Sequence, residues 1–165
     1  MLKLTNMGLG TCWIGGFINK SLLKDIIEIP NNQKPVIVIA FGYPEDRNHF
    51  NIELNSSDKR KALDQVVQGE LDDKLESVFQ SVRRAPSGIN LQPWRFNKIN
   101  DEIQCFAVSE NFITKRFAHF NRLDVGIALC HFSLACQELM INYKFVKREV
   151  QEAKGLEYII TIKLL

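Results

Sequence analysis

The sequence predicts an α+β fold, and three stretches carry that expectation. Residues 124–140, DVGIALCHFSLACQELM, are apolar almost all round, which reads as a long helix buried in the core. WRFNKI (94–99) and IQCFAVS (103–109) are short strand-like runs separated by Asn100, Asp101 and Glu102, the pattern of a hairpin. PVIVIAFGYP (35–44) is a continuous β-branched run closed by Gly42 and Pro44, expected as a strand buried on both faces and central in a sheet.

The remaining elements follow in chain order. GLGTCWIGGF (8–17) opens with four glycines in nine residues. Glycine is the costliest residue to order and is kept where the backbone needs positive φ or where another body approaches the main chain, so this stretch is either a ligand contact or a tight corner. Ser21 is a candidate N-cap for a short amphipathic helix through LLKDIIEI (22–29), ended by Pro30. Residues 46–58 are polar and contain His49, a surface loop leading to a helical stretch near 60–67. Asp72 or Asp73 caps KLESVFQSVRR (74–84), with Leu75, Val78, Phe79 and Val82 as its apolar face and Pro86 as its stop. KFVKREV (144–150) and EYIITIKLL (157–165) read as strands.

A chain of 165 residues with 45% hydrophobic and 24% charged residues suits one globular domain over 1–165, with no linker to divide it. A formal charge of +2 supplies no basic field for nucleic acid or a membrane surface, and no apolar run approaches the roughly 20 residues of a spanning helix. Cys12, Cys105, Cys130 and Cys136 lack CxxC pairing and a signal peptide, so a reduced, cytoplasmic protein is expected. His131 lies among Cys130 and Cys136 without carboxylates, which argues for a core histidine and against a metal. His119, among aromatics and cations, lines a pocket mouth or the surface. Cys12 is expected as a small buried cysteine under a loop, and Trp13 as a packing anchor.

RRAPSGINLQPWRF (83–96) is the second unusual stretch. A helix ending in two arginines meets Pro86, and Ser87, Gly88, Asn90 and Gln92 then crowd small and polar groups into a turn. Such groups suit the edge of a planar heterocycle, and they equally suit a helix-to-strand loop capped by its own side chains.

Together, APSGINLQPWRF and GLGTCWIGGF followed by PVIVIAFGYP resemble the nitroreductase-like FMN flavoprotein family. The PSxxNxQPW segment usually comes early and the glycine segment late. The reversed order here resembles the subgroup called putative TM nitroreductases, in which one chain carries two nitroreductase-like halves and mimics the family's homodimer. The resemblance implies a nitroreductase-like fold: a mixed β-sheet flanked by helices with a long buried central helix, arranged as a truncated pseudo-dimer. Residues 1–70 would be the end of the first half and 71–165 the second.

The resemblance also implies a site. Family members bind FMN where two subunits meet, so Gly15 and Gly16 match positions whose backbone lies against the flavin, and Pro86, Ser87, Gly88 and Asn90 match the segment from the opposite half. DKRKALDQV (58–66) resembles the Arg-containing segment that reaches the FMN phosphate, which nominates Arg60 with Lys59 as neighbour. Arg suits a phosphate because its guanidinium bonds two oxygens; a Lys and Arg run at a helix start also suits a solvated face. GLGTCW is no dinucleotide fingerprint, since Trp13 stands where the third glycine is required. NAD(P)H is therefore not expected to bind as on a Rossmann domain; the resemblance implies that it visits the open face of the flavin as a transient donor, followed by a nitro compound, quinone or similar small acceptor. The flavin carries the hydride chemistry, so no catalytic side chain and no metal is named.

One departure sets a further expectation. The Arg-rich RxSxR-like segment of the family is missing, and only MLKLTNM precedes Gly8. The first half is thus expected as truncated, with phosphate ligands lost and apolar surface left for an oligomer or a missing N-terminal half to cover. No glycine pair follows the helix in INYKFVKRE, so one site per chain is the maximum. The alternatives are an inactive fragment, or a flavin-binding or interaction protein that retains part of the fold.

Overall fold

In the computed structural model the described residues are 1–15, 23, 25–45, 59–109, 118–151 and 154–165, with the side chains of Ala118 and His119 excepted. The chain divides into two compact units, Met1–Ser56 and Ser57–Leu165.

The first unit begins with α1 (Leu2–Asn6), and Gly8 then takes a φ of 79°, a left-handed value that glycine adopts without strain. Strands β1 (Gly10–Ile14) and β2 (Val38–Gly42) pair antiparallel, with Thr11 opposite Phe41 and Trp13 opposite Ile39. The glycine-rich opening is therefore a strand over much of its length. Leu23, Asp25 and Ile26 are helical, and Ile27 N–H donates to Leu23 O at 2.9 Å, but Ile26 and Ile27 are exposed.

The expectation of a central strand buried on both faces fails for β2. It belongs to a two-stranded sheet, and Phe41 and Tyr43 are 64% and 81% exposed. A β-branched run records a preference for pleated, covered surface. Covering needs a further layer, and among the described residues of this unit none is buried. Cys12 is likewise exposed rather than tucked under a loop, and Trp13 is half-buried.

The second unit is α+β, as expected. Its five-stranded mixed sheet runs β3-β4-β5-β7-β6. Strand β3 (Val67–Gln68) lies parallel to β4 (Trp94–Ile99). Strands β5 (Glu102–Val108), β6 (Tyr143–Val146) and β7 (Leu156–Leu164) complete it with antiparallel pairings. The β4–β5 hairpin turns at Asn100, whose φ of 53° suits a tight turn. The expected helix near 60–67 is shorter: α2 covers Leu63–Val66, and Val67 already belongs to β3. Residues 59–70 lie in this unit, where Val66 and Val67 join the core.

Helix α3 (Asp73–Arg83) is capped by Asp72, whose Oδ1 accepts Leu75 N–H at 2.8 Å. Its Leu75, Val78, Phe79 and Val82 are buried as their spacing requires. Phe79 packs edge-on against Phe96 of β4 and Phe132 of α4 (Ala118–Glu138), tying both helices to the sheet. Helix α4 starts six residues earlier than its apolar run. Val125, Ala128, Phe132 and Cys136 are buried, while Gly126, Cys130 and Leu134 are exposed, so its all-round apolar character is used on one face. All four cysteines are free thiols. Among the described residues no helix is long and apolar enough to cross a membrane.

Candidate functional site

The PSGIN turn forms because α3 cannot continue through Pro86, which has no N–H to donate and a fixed φ. Beyond it, Gly88–Asn90 make one 3-10 turn. Ile89, Asn90 and Gln92 adopt φ values of 44°, 58° and 49°, a conformation unfavourable for side-chain-bearing residues and worst for a β-branched one. The turn is held by its own hydrogen bonds: Gln92 N–H donates to Ser87 Oγ at 2.9 Å and Asn90 N–H to Ser87 O at 3.1 Å.

The segment 59–61 clamps this turn. Arg60 Nη1 donates to Asn90 Oδ1 and to Ala85 O, each at 2.9 Å, and Nη2 donates to Arg84 O at 3.3 Å. The Arg84 and Ala85 carbonyls lie where α3 ends and its intrahelical donors run out, so a cation there also meets the negative end of the helix dipole. Asn90 Nδ2 donates to Lys59 O at 2.9 Å. The buried Gln92 side chain accepts Lys61 N–H at 2.8 Å and donates to Lys59 O at 3.1 Å. Beneath the turn, Gly88 N–H donates to Asp124 Oδ2 at 3.0 Å.

Cations gather at the site, with the Asp124 carboxylate beneath the turn. Lys59, Arg60, Lys61, Arg83, Arg84 and Arg95 all lie on the turn, the 59–61 segment or the ends of α3 and β4 that flank it. Among the described residues none of the six makes an ion pair with a carboxylate. Burial holds Arg60 and Arg95 below the usual guanidinium range, and burial together with the Arg95 charge lowers Lys61. Burial pushes the Asp124 carboxyl up to about 6, against the opposing pull of the Gly88 amide. His131 is half-buried with Nδ1 3.2 Å from Ser81 O, and burial lowers its pKa, which suits a packed, neutral ring.

Three comparisons with known proteins bear on this geometry. A family described as "Putative TM nitroreductase" matches residues 1–136. The chain belongs to the putative TM nitroreductase family. A solved structure of a putative nitroreductase from Thermotoga maritima matches 99% of this chain at 24% identity with a TM-score of 0.61, which shows a shared fold. The present chain spans 58% of that relative's length. A nitroreductase family protein from Clostridium difficile matches 64% of this chain and 78% of its own at 21% identity and a TM-score of 0.44. No curated protein matches the sequence.

Within this nitroreductase-family chain, Lys59, Arg60, Pro86, Ser87, Gly88 and Asn90 come together in the second unit. Gly15 follows β1 in the first unit, Gly16 and the residues 46–58 with His49 lie outside the described residues, and so does the His119 side chain. Among the described residues no group of three or more His, Cys, Asp or Glu is placed to hold a metal. Two site residues escaped the sequence. Gln92 stands in the polar run of the turn, and its role needs Lys59 and Lys61 beside it. Asp124 carried a signal, a lone carboxylate entering an apolar helix. It read as the helix start because the preceding turn, from Ala118, lacks an apolar period.

Proposed function

We propose that this chain carries the flavin site of an FMN-dependent oxidoreductase of the nitroreductase type, passing hydride from NAD(P)H to nitro compounds, quinones or similar small acceptors. The observation that carries this reading is a cluster of cations that pair with no carboxylate among the described residues, locked around a strained turn. Strained, over-determined backbone concentrates at ligand-binding sites, and unpaired cations favour an anion.

The residues fit FMN by their chemistry. Arg60 and Lys59 would hold its phosphate; Arg60 is fixed in advance by Asn90 and the α3 carbonyls, so little side-chain freedom is lost on binding. The Ser87 oxygen already accepts Gln92 N–H, leaving its proton to donate to a heterocycle edge alongside Pro86, Gly88 and Asn90. Gly15 and Gly16, in the sequence of the first unit, suit bare backbone presented to a flavin ring. When bound, FMN supplies hydride acceptance and donation at N5. The exposed apolar residues of β1 and β2 suit cover by a second copy, and the proposed location is the cytoplasm.

One observation favours a second reading, a fold-retaining interaction protein without turnover: the Arg60 bonds within the chain are accounted for by capping alone. Titration of the purified chain with FMN and riboflavin, followed by visible absorbance and flavin fluorescence quenching, separates the two. Tighter binding of FMN than riboflavin, with NAD(P)H oxidation on adding an acceptor, is expected. A folded protein that takes up neither flavin would sink the first reading and leave the second.

A further inference from the structure

We infer that Asp124 is a positioning residue: its carboxylate grips the Gly88 amide from within α4 and thereby sets the Ser87–Gln92 turn. What that turn holds rests on the flavin reading; the grip itself does not.

Asp124 is 5% exposed, and its Oδ2 accepts the Gly88 N–H at 3.0 Å. The charged and titratable groups on the surrounding elements are engaged elsewhere. Arg60 bonds Asn90 and the α3 carbonyls, and Arg83 bonds Lys61 O. Arg95 bonds the Gln92 and Trp94 carbonyls, His131 meets Ser81 O, and Arg122 pairs with Glu157. Lys59, Lys61 and Arg84 lie on the clamp and at the end of α3. Among the described residues none of these donates to the Asp124 carboxylate.

A buried carboxylate with one backbone donor is a costly way to satisfy an amide that stands at an exposed turn and could take water instead. Its effect is local and geometric. Gly88 immediately precedes Ile89 and Asn90, both left-handed, and such backbone persists only when its surroundings over-determine it. Arg60 and Gln92 constrain the turn from the 59–61 segment, and Asp124 constrains it from α4. Burial also raises the Asp124 pKa to about 6, so the grip is strongest above that pH, where the acceptor is a full carboxylate.

The test uses the full chain as Asp124→Ala and Asp124→Asn, with Gly88 amide exchange by NMR, thermal midpoint and FMN affinity as readouts. Asp124→Ala is expected to speed Gly88 exchange and weaken FMN by roughly tenfold or more, with an unchanged or raised thermal midpoint because a buried charge is removed. Asp124→Asn keeps an acceptor of the same shape and should hold FMN affinity within about threefold. Exchange and affinity equal to wild type in Asp124→Ala overturn the inference. So does affinity falling together with thermal midpoint, without rescue by Asp124→Asn, since that marks a merely structural role. If Asp124→Ala does not fold, the wild-type Gly88 amide resonance decides: a single carboxyl titration between pH 3 and 8 that vanishes in Asp124→Asn supports the grip, and a profile flat over that whole range refutes it. If folded wild type binds no FMN, the flavin reading falls, and the Gly88 exchange rates alone settle the role of Asp124.

Discussion

The Arg60 guanidinium donates to the Asn90 side-chain oxygen at 2.9 Å, joining two motifs thirty residues apart in the chain. The same guanidinium reaches the Ala85 and Arg84 carbonyls at the end of α3. One side chain thus closes a helix, pins a turn and contributes to an excess of positive charge.

Arg60→Ala therefore has two separable consequences. Loss of charged hydrogen bonds to the α3 carbonyls should destabilise the chain by about 1 to 3 kcal/mol in urea unfolding. If Arg60 also meets a phosphate, FMN should weaken more than riboflavin by roughly 1.5 to 3 kcal/mol. Equal weakening of both flavins would assign Arg60 to capping alone.

Ile89→Gly should stabilise the protein. Ile89 is 69% exposed, so little burial is lost, and its φ of 44° strains a β-branched residue but not glycine. The gain, reduced by the greater chain entropy of glycine, should be about 0.5 to 1 kcal/mol. A lower denaturation midpoint would mean that Ile89 packs against something that compensates its strain.

Stability should carry a pH signature from Asp124. Its carboxyl is raised in the folded state to about 6 from an ordinary value of 3.8. The raised group binds its proton more tightly when folded, so its favourable contribution is complete below pH 3.8 and is lost as pH rises through about 6. The stability of Asp124→Asn relative to wild type should therefore grow across that window, by on the order of 1 to 3 kcal/mol. A difference constant from pH 4 to 7 would contradict the raised pKa.

Gly69→Ala should be poorly tolerated. Gly69 has a φ of 103°, and a Cβ there would stand 2.4 Å from the Lys98 carbonyl oxygen, a backbone atom that cannot swing aside. The expected loss is roughly 2 to 3 kcal/mol, measured by chemical denaturation. A neutral substitution would show that β3 is free to move away from β4.

Much of the second unit was legible before folding because its signals are local. The spacing of Leu75, Val78, Phe79 and Val82 announces a helix face, and Asp72 announces its cap. The strand runs around Asn100 announce a hairpin, which pairs Trp94 with Ala107. The candidate turn was legible from Pro86, Ser87, Gly88 and Asn90, and its neighbour Arg60 from resemblance to a known motif. Strand β2 departs from its composition for the converse reason. Its composition is that of a buried strand, but burial is a property of neighbouring layers, and Phe41 has none over it among the described residues of its unit.

The sequence by itself determined helix α3, the β4–β5 hairpin and the turn motif from which the candidate site is built, because each depends on residues close to one another in the chain. Tertiary structure alone decided that Lys59, Arg60 and Gln92 interlock, that α4 uses one face of its apolar surface, and that Asp124 lies under Gly88. Those relationships join residues some thirty positions apart. A hydrogen bond over such a separation leaves no periodicity to read; it exists only once the core of Phe79, Phe96 and Phe132 has set α3, α4 and the sheet in place.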